Sequence, residues 1–159
     1  MNADNTDRTQ EIAFIRSFEN AASSDAAFNL HPVLHPALHL RPHHLLCLQT
    51  FIGHGYSEEF VRRMTIVKNQ LEQDPLTFIE VVEGADDLCA ACPNNTDGQC
   101  TSDKPAVFDL LVRNKLQLSS NNIKGIPTDL KISVPLIEEC CPDCEWKELC
   151  LEQARERLP

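Results

Sequence analysis

The apolar positions change period several times along the chain, and each change marks an element. Leu45, Leu48 and Ile52 recur at spacings of three and four, which predicts a helix that opens at Pro42 and closes at Gly53 or Gly55. A second helix is predicted after Ser57, an N-cap followed by Glu58 and Glu59, with the stripe Phe60, Val61, Met64, Val67 and Leu71 and an end at Pro75. The run from Thr77 to Val82 (TFIEVV) is rich in β-branched residues and reads as a short strand, and Gly84 to Asp87 as a turn. Asp103 to Leu118 reads as a helix with Pro105 in its first turn and Val107, Leu110, Leu111 and Leu118 inward. Ser119 to Pro127 reads as a loop. Over Asp129 to Ile137 two patterns compete: Leu130, Ile132 and Val134 alternate as in a strand, while Leu130, Val134 and Ile137 fit a helix interrupted by Pro135; the helix is favoured. Glu145 to Arg157 reads as a terminal helix carrying Trp146, Leu149 and Cys150.

Upstream, Asp7 to Ala22 can form a helix with Ile12, Phe14, Ile15 and Phe18 apolar, followed by HPVLHPALHL. Its His31, His35 and His39 fall every fourth residue, but Pro32 and Pro36 oppose a continuous helix. An extended linker with incidental histidines is therefore favoured over a metal-collecting tract. Residues 1–39 read as a partly flexible extension and residues 40–159 as a cysteine-rich metal-binding domain. The predicted class is mainly α with one or two short strands, a small single domain stapled by metal.

Composition narrows the chemistry. A chain of 159 residues with 42% apolar content supports one modest core. The formal charge of −10 excludes a phosphate-binding face and disfavours anionic membranes, so neither nucleic acid nor membrane is expected as a partner. The N-terminus lacks a basic stretch followed by an apolar one, so a cytoplasmic location is expected. Eight cysteines in a reducing compartment read as metal ligands or redox groups before disulfides.

Those cysteines fall into groups. Cys89, Cys92 and Cys100 form C-x2-C-x7-C, and Cys141, Cys144 and Cys150 form C-x2-C-x5-C. A C-x2-C turn lets two thiolates face one ion or cluster. Each group offers three thiolates, whereas a tetrahedral zinc or a [4Fe–4S] cluster takes four ligands. The stretch LRPHHLLC, Leu40 to Cys47, holds what could complete them. Cys47 can complete one group and His43 or His44 the other; a single four-cysteine cluster drawing on both groups is the alternative. His43 and Cys47, four apart, share a helix face. Arg41 can pair with a carboxylate or offset thiolate charge, and His44 can cap or hydrogen-bond. Asp86 and Asp87 can cap the turn before Cys89, or orient a histidine ligand. Trp146 can shield a cluster from water or pack in the core. Cys140, beside Cys141, reads as a small buried residue or spare thiol.

Through LRPHHLLC, GYSEEF, DDLCAACPN and CPDCEW, from about Leu40 to Cys150, the sequence resembles a bacterial and archaeal family of unknown function whose members are taken to bind iron–sulfur clusters. The matching positions are Arg41, Pro42, His43, His44, Cys47, Gly55, Tyr56, Asp87, Cys89, Cys92, Pro93, Cys100, Asp109, Cys141, Cys144, Trp146 and Cys150; Cys140 lies outside the pattern. The resemblance implies an iron–sulfur cofactor. Three functions are compatible with the residues. The first is an iron–sulfur protein, most plausibly [4Fe–4S], in electron transfer, redox sensing or cluster handling, with a protein or redox partner left open. The second is a zinc-stapled module for protein interaction. The third is a metal-dependent enzyme using His43, His44, Arg41 and Asp87. No phosphate-cradling loop, nucleophile elbow or H-E-x-x-H motif is present.

Overall fold

The computed structural model describes residues 37–118, 122–126 and 131–156. The helix read over Asp7–Ala22 and the histidines at 31 and 35 lie outside them. Strand β1 (Leu38–Leu40) leads through Arg41 into helix α1 (Pro42–Thr50), with Pro42 in the first turn where a missing N–H costs nothing. Helix α2 (Glu58–Gln73) starts as expected, with Ser57 Oγ accepting from the Phe60 N–H at 3.1 Å. Phe60, Met64 and Val67 are its buried face. Strand β2 (Phe78–Val81) follows; a single 3-10 turn (Cys89–Ala91), strands β3 (Asn95–Thr96) and β4 (Gln99–Cys100), helix α3 (Lys104–Leu116), strand β5 (Asn122–Lys124), helix α4 (Val134–Cys140) and helix α5 (Lys147–Glu156) complete the described chain.

Helices dominate and the strands are short. The first sheet has the order β1-β2-β5, with β1 parallel to β2 (Leu38↔Ile79, Leu40↔Val81) and β5 antiparallel to it (Ile79↔Ile123). The parallel pair requires a crossover, and α1 and α2 supply it. Leu38, Leu40, Ile79 and Val81 point into the core while Phe78 and His39 point out, the period-two alternation of a sheet with one buried face. Strands β3 and β4 form a separate hairpin whose corner, Asp97 (φ 52°) and Gly98 (φ 82°), has positive φ at both residues, as a two-residue turn demands.

Helix α1 is the centre of the molecule, packed against α2, α3 and α5. Pro42, His43, His44, Leu45, Leu46, Leu48 and Thr50 are all buried, so the helix has no solvent face to mark by periodicity.

Several sequence expectations are corrected. Helix α1 ends at Thr50 because Phe51 is extended (ψ 125°), which carries Ile52 out of the stripe to 45% exposure. On α3 the buried residues are Phe108 and Val112, while Val107 and Leu110 are 51% and 59% exposed. Contact with α1 through Phe108 and Asp109 sets the helix's rotation and turns those two positions outward. Pro135 does not interrupt a helix but lies in the first turn of α4, after the cap Ser133. The 119–127 stretch contains β5, and strands outnumber the one or two expected. No described helix is long and apolar enough to cross a membrane.

Candidate metal centre

Seven of the eight cysteines, all but Cys140, line one cavity of about 330 Å³. Helix α1 forms one wall of it with Arg41, His43, His44, Cys47 and Thr50. Cys140 is buried outside this lining, on α4.

Two carboxylates fix the histidines. Asp86, whose side chain is fully buried, lies 2.6 Å from His44 Nδ1 through Oδ2. The same oxygen accepts from the Arg41 N–H at 2.7 Å, and Oδ1 accepts from the N–H groups of Leu88 and Cys89 at 3.0 and 2.9 Å. Asp109 lies 2.6 Å from His43 Nδ1 and also accepts from the His43 N–H, from Arg41 Nε at 2.8 Å and from Arg41 Nη2 at 2.6 Å. Burial pushes both carboxyls up, but the His44 ring and backbone donors outweigh it at Asp86, and the His43 and Arg41 donors do so at Asp109, so both stay below the usual range. Ionised carboxylates only accept, so each imidazole carries its proton on Nδ1 and keeps Nε2 as its remaining nitrogen. Burial, with His44 and Arg41 nearby, lowers His43 to about 4, which leaves it neutral. The rings of His43 and His44 lie 4.1 Å apart.

The cysteines divide between two regions of the cavity. Burial raises the Cys47 thiol well above its usual value, and charge on Cys150, Cys141, Cys144 or Asp109 would raise it further. Helix α1 packs against α5, which sets Cys47 on the side of the second cysteine group. Thr50 Oγ1, one turn along α1, is 3.1 Å from Cys150 Sγ. In the first group the 3-10 turn donates the Cys92 N–H to the Cys89 carbonyl at 3.0 Å and turns both thiols toward the cavity. The β3–β4 hairpin returns Cys100 opposite Asn95, so that Cys100 neighbours Cys92. Burial pushes Cys89 and Cys141 up to about 12, with Asp86 adding to the first and Cys144 and Cys150 to the second. Neutral thiols are thus the resting form at Cys89 and Cys141 until a cation makes the thiolates favourable.

Among the described residues, one set of three ligand atoms lies within 4.8 Å of one another: His44, Asp86 and Cys89, all buried. This set could hold a metal ion. Asp87, read as a cap of the turn before Cys89 or as the orienter of a histidine ligand, accepts from the His39 N–H at 2.8 Å. Trp146 lies at the cavity edge-on to Tyr56, ring centres 5.6 Å apart. Sequence reasoning gave no role to Asp109 or Thr50, and Asp86 only a general one. The signal at Thr50 is a hydroxyl residue three positions beyond Cys47, on the adjacent turn of the same helix.

No curated protein and no solved structure shows significant similarity to the chain. A family model does match, over residues 55–150, which is more than half of the chain and includes both cysteine groups, and by that match the chain belongs to the protein family of unknown function DUF1284.

Proposed function

We propose that this is a redox protein that binds an iron–sulfur cluster of the [4Fe–4S] type through Cys47, Cys141, Cys144 and Cys150. The observation that carries the reading is the packing of α1 against α5, where Thr50 Oγ1 meets Cys150 Sγ at 3.1 Å, with Cys47, Cys141, Cys144 and Cys150 all lining the same cavity. Four cysteine thiolates are the usual donor set for such a cluster.

When bound, the cluster would supply one-electron chemistry. The chain's own residues set its surroundings. Thr50 can donate its hydroxyl proton to the Cys150 sulfur, spreading charge from the thiolate. Tyr56 and Trp146 restrict water at the cavity edge. Burial of Cys47 keeps one side of the site in a low-dielectric setting, which favours the less charged oxidation state. A soluble redox partner would exchange the electron.

Anaerobic purification tests this. The expected product is brown, with iron and acid-labile sulfide each near about four per chain. Reduction should give a paramagnetic signal, and Cys47→Ser or Cys144→Ser should lower the iron content. A colourless chain without iron or sulfide, even after reconstitution, would sink the reading.

A further inference from the structure

We propose a second, separate metal site: a mononuclear zinc centre held by Cys89, Cys92, Cys100 and His44. It does not depend on the cluster reading, because it uses none of the same ligands.

The argument starts from Asp86. It belongs to the compact His44–Asp86–Cys89 set, which suggests it as a ligand. Its acceptor positions, however, are already used. Oδ2 takes the Arg41 N–H and His44 Nδ1, and Oδ1 takes the N–H groups of Leu88 and Cys89. A carboxylate offers about four lone-pair positions, so Asp86 acts as an anchor rather than a ligand. By holding Nδ1–H it orients the ring and leaves His44 Nε2 as the donor, the carboxylate–histidine arrangement found behind zinc ligands.

Cys89 is next to that histidine, and the chain brings two more thiols to the same region. The 3-10 turn places Cys92 with Cys89, and the hairpin returns Cys100 beside Cys92. Three thiolates and one imidazole make a complete tetrahedral set of the structural kind. His44 and Cys89 belong to one buried set of ligand atoms within 4.8 Å of one another, so an imidazole already stands beside the first thiol. The three thiolates leave the zinc site with net negative charge, and the buried guanidinium of Arg41 stands next to Cys89 to offset it.

The hairpin that carries Cys100 has little packing of its own. Strands β3 and β4 have two residues each, and Thr96, Asp97, Gly98 and Gln99 are all exposed. Such a hairpin has no apolar face with which to hold itself against α1. Zinc bridging His44 on α1 to all three cysteines would fix it there.

The test is metal analysis of the full chain purified anaerobically, with X-ray absorption at the zinc edge. Stoichiometric zinc is expected beside any iron, with three sulfur and one nitrogen neighbours. Cys92→Ser and Cys100→Ser should each lose most of the zinc and keep iron and sulfide, while Cys144→Ser should lose iron and keep zinc. Should the serine variants not fold, the zinc-edge spectrum of the unsubstituted chain still decides. A chain without zinc, a zinc shell of four sulfurs or of no sulfur, or loss of iron instead of zinc in Cys92→Ser overturns the proposal. Zinc present with iron absent would leave it standing and remove the cluster reading instead.

Discussion

Replacing Asp109 by alanine should destabilise the protein by about 3 to 5 kcal/mol, the range expected when one partner of a buried ion pair is removed. Its carboxylate receives four donors: Nε and Nη2 of Arg41 and the N–H and Nδ1 of His43. The Arg41 side chain is only 7% exposed, so water cannot take over the lost contacts. The cost is therefore that of an uncompensated buried cation, added to an unpaired imidazole N–H. At roughly 3 °C per kcal/mol for a chain of this size, the melting temperature should fall by about 10 °C or more. Urea unfolding of variants with matched metal content, under anaerobic reducing conditions, measures it. Arg41→Leu combined with Asp109→Leu should cost less than the two single changes added, because no lone charge remains. The carboxylate also has an acid limb. Asp109 is held below its ordinary 3.8, so its contribution is complete above that value and is lost as pH falls through the lower folded value. The stability difference between the unsubstituted chain and Asp109→Ala should therefore narrow in that acid range. A cost for Asp109→Ala below about 1 kcal/mol would refute the view that this ion pair anchors α1 to α3.

Three further outcomes are expected. Gly125 has φ +61°, and a Cβ there would come 2.0 Å from the Pro75 carbonyl oxygen, so Gly125→Ala should cost about 2 kcal/mol or more in denaturant unfolding. On α3, Phe108→Ala should cost about 3 kcal/mol or more, whereas Leu110→Gln, at an exposed position, should stay within about 0.5 kcal/mol; equal costs would mean the helix is rotated from the orientation described. Chelation under reducing conditions should remove much of the cooperative melt followed by circular dichroism, since Cys92, Cys100 and Cys144 lie in turns or a two-residue strand and are only half-buried.

What could be read from the sequence follows from where one physical signal dominates. Helix α2 was legible in full, because its cap, acidic first turn and apolar stripe all agree. Strand β2 was legible from its β-branched run. Helix α1 was legible as a helix but not as the centre of the fold, since burial on every side erases periodicity. The orientation of α3 was missed because Val107 and Leu110 are apolar yet face out, and what sets the rotation is Asp109, a charged residue turned inward. The β3–β4 hairpin had a visible marker in Asp97–Gly98, but between cysteines that pair reads as ligand spacing. Strand β5 is three residues long and pairs with β2 across more than forty positions, beyond any local pattern. At the site, the cysteine spacing announced metal chemistry, but the partners of His43 and His44 could not be named: Asp109 and Asp86 are 66 and 42 residues away.

The stretch Leu40–Cys47 explains why the two cysteine groups are incomplete in the same way. Each group brings three thiols, and on the two proposals α1 would carry a fourth donor for each within one turn, His44 for the first and Cys47 for the second. Residues three apart on a helix are neighbours, so a single rigid wall can serve two sites without either sharing a ligand. The carboxylates then divide the labour along that wall: Asp86 orients the histidine beside the first group, and Asp109 ties Arg41 and His43 down between them. The electrostatics require the same arrangement. The chain already carries a formal charge of −10, and seven thiolates would add to it in a cavity where Arg41 is the buried cation. Burial raises the Cys47, Cys89 and Cys141 thiols, so charge enters there as metal enters and protons leave. On both proposals, a helix fixed by ion pairs before loading, rather than by the metals themselves, would let either site fill without waiting for the other.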